Sequence, residues 1–207
     1  MSAEGQNEVV YVVDDDPSAR ESLCWLLGTE GIASQAFASA QAFLEDWSSD
    51  CNGCMMVDIR MPGKSGLQLQ EELNARHNLM PVIVLTGHAD VPVAIRAMKQ
   101  GAYDFLEKPY ADEELLTCVK TALELGREIS DAESEKARVA GALENLTERE
   151  REVMCLVVEG NTNKAVAARL GISEKTVEIH RARVMEKTAA RSLSELVRIC
   201  LILKDKL

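Results

Sequence analysis

Along the first 125 positions, apolar residues come in short runs that stop abruptly at a polar side chain. Residues 8–13 form a β-branched, apolar run that ends in Asp14, Asp15 and Asp16, and Pro17 then opens a Leu-rich segment with helical spacing to Leu27. Asp16 and Pro17 suit a helix cap and first turn. The same beat recurs, with strands predicted near 33–37, 54–58, 81–86 and 103–107 and helical patterns near 40–48, 66–77, 91–100 and from 112 onward. Five βα units of this kind predict an α/β, doubly wound fold with a five-stranded parallel sheet covered on both faces. Such a sheet holds its ligand site beyond the carboxyl ends of the strands.

From Asp112 to Leu143 the chain is rich in Glu, Ala, Leu, Lys, Arg and Ser, lacks proline and carries isolated Gly126 and Gly141, which predicts helix. Leu115, Leu116, Val119, Leu123 and Leu125 mark an apolar face, and the stripe thins after Ile129. The expected organisation is a first domain over 1–125, a helical linker over 126–142 and a second, all-α domain of four short helices over 143–207. Thr147 and Glu150 form a capping box before an apolar helix closed by Gly160. A helix from about Asn163 to Leu170 is followed by a short turn in which Ser173 is the next N-cap. That is helix-turn-helix spacing. The next helix runs to about Thr188, and Ser192 with Glu195 opens the last.

Composition narrows the chemistry. With 46% hydrophobic and 28% charged residues over 207 positions, disorder and collagen are excluded. Three Phe, three Tyr and two Trp leave the core to aliphatic residues and disfavour an aromatic base-stacking surface. No segment approaches the ~18 apolar residues of a membrane span, and no targeting pattern opens the chain, so a cytoplasmic protein without a membrane partner is expected. Cys24, Cys118, Cys155 and Cys200 read as small buried hydrophobes, and Cys51 and Cys54 as an incidental CxxC without further zinc ligands. Charge is uneven: residues 1–125 carry 20 acidic and 8 basic side chains, residues 143–207 carry 10 and 12, and residues 161–191 carry 3 and 7. A nucleic-acid module joined to an acidic partner domain fits this asymmetry.

The predicted strand ends hold Asp14 and Asp15, then Asp58, Thr86 and Lys108. Three carboxylates at one sheet edge repel one another unless a divalent cation is bound, and an all-oxygen set suits Mg²⁺ or Mn²⁺. One carboxylate can then attack a phosphoryl group, with Lys108 and the Thr86 hydroxyl directed at its oxygens and Gly87 leaving room for it. Taken singly, each residue also has a plain structural role, as a helix cap or turn residue. The joint pattern VVDDDP, MVDIRMPGKSG, LTGHAD and FLEKP resembles the receiver domain of bacterial two-component response regulators, over about 1–125. The resemblance implies Asp58 as phosphoacceptor and, as metal ligands, Asp15 directly, Asp14 through water and the Arg60 backbone carbonyl. Phe105 falls at the aromatic switch position coupled to Thr86, the Lys108–Pro109 bond is usually cis in this family, and Arg60 and His88 stand at positions that influence dephosphorylation.

In the second domain, the helix after Ser173 places Val177, His180, Arg181 and Val184 on one side. The opposite side carries Lys175, Ile179, Ala182, Arg183 and Glu186, flanked by Thr176 and Glu178. Arg183 suits guanine or phosphate, Ile179 and Ala182 thymine methyl groups, and Glu178 cytosine, while Lys175, Arg181 and Lys187 are assigned to phosphates; Lys164 on the preceding helix joins the DNA-contact set. A helical protein-binding domain is the alternative. LTEREREVMCLVVEG, NKAVAARLGIS, KTVEIHRARVMEKT and SLSELVRI, in that order, resemble the LuxR-type DNA-binding domain of the FixJ/NarL response-regulator family. Glu178 stands where relatives often carry a basic residue, which bears on phosphate affinity and base preference.

Together the resemblances imply a non-enzymatic transcriptional regulator, phosphorylated by a partner sensor histidine kinase, dimerising, and binding two promoter half-sites. RNA polymerase is a further partner compatible with that role. An aspartyl phosphatase is disfavoured because Arg60 replaces its usual second acid. Dehydrogenase chemistry lacks its GxGxxG.

Overall fold

The structure is a computed structural model and describes residues 8–48, 51–87 and 91–203. Contacts divide it into two compact units, residues 1–131 and 132–207. In the first, strands β1 (Val9–Val13), β2 (Ser34–Phe37), β3 (Gly53–Asp58), β4 (Val82–Thr86) and β5 (Asp104–Glu107) alternate with helices α1 (Pro17–Thr29), α2 (Ala40–Asp46), α3 (Gly66–Ala75), α4 (Val91–Lys99) and α5 (Asp112–Glu144). The strands form one parallel sheet in the order β2-β1-β3-β4-β5. β3 and β4 are buried along their whole length, as a parallel sheet covered on both faces requires. One face packs Tyr11, Val13, Met55, Val57 and Val84 with Phe37, Phe43, Leu69 and Leu73. The other packs Val10, Val12, Met56, Ile83 and Leu85 with Leu23, Leu27, Leu115 and Val119.

Local chemistry sets the ends of these elements. Asp16 caps α1 by accepting from the Ser18 amide at 2.9 Å, with Pro17 in the first turn. Ser65 and Gln68 form a capping box at α3. The next residue, Gly66, lies so close to β3 that an added Cβ would stand 2.3 Å from the Asp58 carbonyl oxygen. Both tryptophans lie in this unit: Trp25 on α1 is 72% exposed, and Trp47 after α2 has the Arg76 guanidinium 5.5 Å from its ring centroid.

α5 is a single helix of 33 residues. Leu115, Val119, Ala122 and Leu123 bury its first half, and Gly126 approaches the start of β3 closely enough that a Cβ would meet the Gly53 carbonyl oxygen at 2.5 Å. Residues 131–138 are mostly exposed and carry the pairs Lys136–Glu133 and Arg138–Glu135. Val139 is then buried in the second unit, with Leu143 beside it. The span expected as a linker is thus shared between the two units.

The second unit continues with α6 (Glu148–Val158), α7 (Asn163–Leu170), α8 (Glu174–Lys187) and α9 (Leu193–Leu203). Thr147 and Glu150 make the expected capping box, and Ser173 caps α8. At α9 only half the box forms: Ser192 accepts from the Glu195 amide, but the Glu195 carboxylate takes the Arg191 amide. Among the described residues, no helix is long and apolar enough to cross a membrane. All six cysteines are free thiols. Cys54 and Cys118 are buried and Cys24 and Cys200 half-buried, but Cys155, expected inside, is exposed, because Met154 and Leu156 flanking it take the buried positions of α6. Cys51 packs against the core on one face of the sheet and Cys54 lies in the core on the other.

Candidate functional site

Strand register builds the first site. Val13 pairs with Val57, so Asp14 stands beside Asp58 one step further along; Thr86 pairs with Glu107, so Lys108 follows next to it. Asp14 and Asp58 are 2% and 8% exposed. The Lys108 ammonium lies 2.8 Å from one oxygen of each. The second Asp14 oxygen accepts from the Asp16 amide at 2.9 Å, and the second Asp58 oxygen from the Arg60 amide at 2.6 Å. Arg20, which the sequence reading did not single out, donates to the Asp14 carbonyl at 2.7 Å. Its position one turn into α1 was the only signal available.

Burial alone would depress the Lys108 ammonium, but its hydrogen bonds to Asp14 and Asp58, reinforced by their charges, hold it above the ordinary lysine range. Thr86 is buried at the end of β4. Gly87 is exposed, with open space where a Cβ would stand. The Lys108–Pro109 bond is cis. Asp15 is exposed, and among the described residues no three His, Cys, Asp or Glu side chains converge as metal ligands. Two of the three expected carboxylates are therefore drawn together, through Lys108, and the third stays at the rim. Phe105 is 41% exposed on β5, its ring outward. The Arg60 side chain is exposed, and His88 lies outside the described residues.

The second site is α8. Val177 and Val184 are buried against separate apolar clusters, and they fix which side turns outward. Lys175, Glu178, Ile179, Ala182 and Arg183 are exposed on that side, with Thr176 half-buried at its flank. Ile179, at 48% exposure, is an apolar side chain left in water by this packing. Lys164 is exposed on α7. Arg181 is half-buried, its guanidinium donating to the Asn163 side-chain oxygen at 2.6 Å. Lys187, expected at a phosphate, instead gives its ammonium to the buried Glu150 carboxylate at 2.7 Å.

A parallel-sheet acidic pocket and a helix-turn-helix define a class of protein: a receiver coupled to a DNA reader. Comparison with known proteins agrees. Residues 10–120 match the response regulator receiver domain and residues 144–200 the LuxR family of bacterial regulatory proteins. The transcriptional regulatory protein FixJ of Azorhizobium caulinodans is 48% identical over 93% of this chain and 92% of its own length. Nodulation protein W of Bradyrhizobium diazoefficiens is 46% identical over 92% of this chain and 84% of its own. Among solved structures, the response regulator StyR superposes with a TM-score of 0.87 at 40% identity, over 94% of this chain and 98% of that one. Full-length FixJ from B. japonicum gives 0.57 at 40% identity, over 94% and 96%. The chain belongs to the two-component response-regulator family, in the FixJ-like group that joins a receiver to a LuxR-type DNA-binding domain and regulates transcription.

Proposed function

We propose that Asp58 accepts a phosphoryl group from the phosphohistidine of a sensor histidine kinase in the cytoplasm, and that this step controls dimerisation and sequence-specific promoter binding. The observation that carries this reading is the Lys108 ammonium held 2.8 Å from both Asp14 and Asp58. In the transfer, the P–N bond of the donor breaks as a P–O bond forms to an Asp58 oxygen, and the imidazole keeps the bonding pair. Lys108 and the Thr86 hydroxyl then face the new phosphoryl oxygens, and the open space at Gly87 receives them.

The donor set fits a hard divalent cation: carboxylates of Asp14, Asp15 and Asp58 with the Arg60 carbonyl, all oxygen, and three negative charges against one ammonium. Bound there, Mg²⁺ or Mn²⁺ supplies charge neutralisation for a dianionic phosphoryl group meeting a carboxylate. Once Thr86 turns toward the phosphoryl group, the outward Phe105 ring moves inward and the surface of α4 and β5 is reshaped. Ile95 and Met98, 49% and 43% exposed on α4, then supply an apolar face for a second copy. A dimer presents two copies of α8 to two half-sites, with Arg183, Ile179, Ala182, Glu178 and Thr176 toward the bases and Lys164, Lys175 and Arg181 toward phosphates. Arg60, in place of a second acid, and His88 stand at positions that tune the loss of the phosphoryl group, and Asp58 accepts and loses that group without acting as a turnover enzyme.

Titrating Mg²⁺ and beryllofluoride into the wild type and Asp58→Asn tests this, with oligomer mass and DNA binding followed together. Dimerisation and tighter DNA binding confined to the wild type are expected. Equal behaviour of both proteins overturns the assignment.

A further inference from the structure

Lys187 is the last residue of α8 and lies between the outward Arg183 and the buried Val184 in angular position. Helical spacing alone therefore leaves it at the edge of the DNA-facing side. Its ammonium donates to the Glu150 carboxylate at 2.7 Å and to the backbone carbonyl of Asn145 at 3.1 Å. Asn145 is the first residue beyond α5. The same Glu150 oxygen accepts from the Thr147 amide at 2.9 Å, so three segments meet on one carboxylate: the turn after α5, the start of α6 and the end of α8. Glu150 is 1% exposed beneath a Lys187 side chain that is itself 34% exposed, so loss of the ammonium leaves the carboxylate without its charged partner. The following residue, Thr188, is equally buried and donates its hydroxyl to the Val184 carbonyl.

We propose that Lys187 is a positioning residue and not a phosphate contact: through Glu150 and Asn145 it fixes the end of α8 on the turn that follows α5, and it acts on DNA through Arg183 and Ile179. This rests on α8 being the reading helix. A phosphate contact and a positioning residue differ in what their loss changes. Losing a phosphate contact weakens all sequences alike and lowers the salt slope, whereas losing a positioning residue weakens the chosen sequence and leaves both other quantities in place.

The test uses the full chain with Mg²⁺ and beryllofluoride, a duplex enriched by the wild type from a randomised pool, and a shuffled duplex of the same length. Lys187→Met is expected to bind the enriched duplex about tenfold more weakly, with the shuffled duplex and the slope of log K against log salt unchanged. Glu150→Gln should show the same loss, and the double variant no more than either alone, since both remove one node. Where Lys187→Met loses its cooperative unfolding transition, Lys187→Arg is read instead. A phosphate contact tolerates that change on both duplexes, but the planar guanidinium does not reproduce an ammonium shared between Glu150 and Asn145. Equal losses on both duplexes with the slope lower by about one overturn the proposal, as does wild-type binding by Lys187→Met or Lys187→Arg. Arg183→Ala separates the two readings: if it binds both duplexes as the wild type does, or if no duplex is enriched at all, α8 is not the reader.

Discussion

Lys108 places one positive charge between two carboxylates, and Glu150 places one negative charge among a lysine and a backbone amide. The second arrangement leaves a signature in acid. Hydrogen bonding to Lys187, then to the Thr147 amide, holds the Glu150 carboxyl down at about 2 against an ordinary 4.5. A depressed carboxyl contributes stability that is full above its unfolded value and is lost as pH falls through the folded one. The stability gap between the wild type and Glu150→Gln is therefore expected to be widest above pH 4.5 and to narrow toward pH 2. Urea midpoints of the second unit at pH 7, 3.5 and 2.5 check this, and a gap independent of pH excludes Glu150 as its source. Sequence showed Glu150 only as the far half of a capping box. The lysine that completes its environment is 37 residues away, and no local pattern joins them.

Helix α5 carries two glycines that look alike in sequence and differ in surroundings. Gly126 lies against the Gly53 carbonyl, where a Cβ has no room, and Gly141 has open space. Gly126→Ala should cost about 1–3 kcal/mol through overpacking, while Gly141→Ala should gain about 0.5–1 kcal/mol from helix propensity. Urea unfolding of each variant tests the pair, and opposite signs are the expected result. The contrast also shows what was legible. Strands, helices and the residues at the strand ends could be read because each apolar run is short, local and closed by a polar residue. The helix over 112–143 was legible as well, from its helix formers, and α5 spans Asp112–Glu144; its entry into a second core at Val139 was not, since residues 131–138 bury nothing and leave no stripe to follow. Likewise Asp14 and Asp58 were placed together by parallel register, but the exposure of Asp15 depends on a side chain's choice at the rim, which no pattern records.

At the scale of the whole molecule, a net charge of −11 leaves DNA binding to a small basic surface. With Lys187 engaged internally, each reader offers Lys164, Lys175 and Arg181 to phosphates, and Arg183 to a base or a fourth phosphate. The slope of log K against log salt is then expected near roughly −3 to −4 for one reader and about twice that for two. Anisotropy titrations over a potassium chloride series, with and without beryllofluoride, measure it. Identical slopes in the two states would mean that activation does not bring a second reader onto the duplex. One further feature makes the two units separable to the eye of a spectrometer. Trp25 and Trp47, the chain's only indoles, both lie in the first unit. Emission from this protein is therefore a report on the receiver alone, while far-ultraviolet dichroism, weighted by the helices of both units, hears the reader as well; the two signals taken from one sample tell whether phosphoryl control and DNA reading melt as one or in turn.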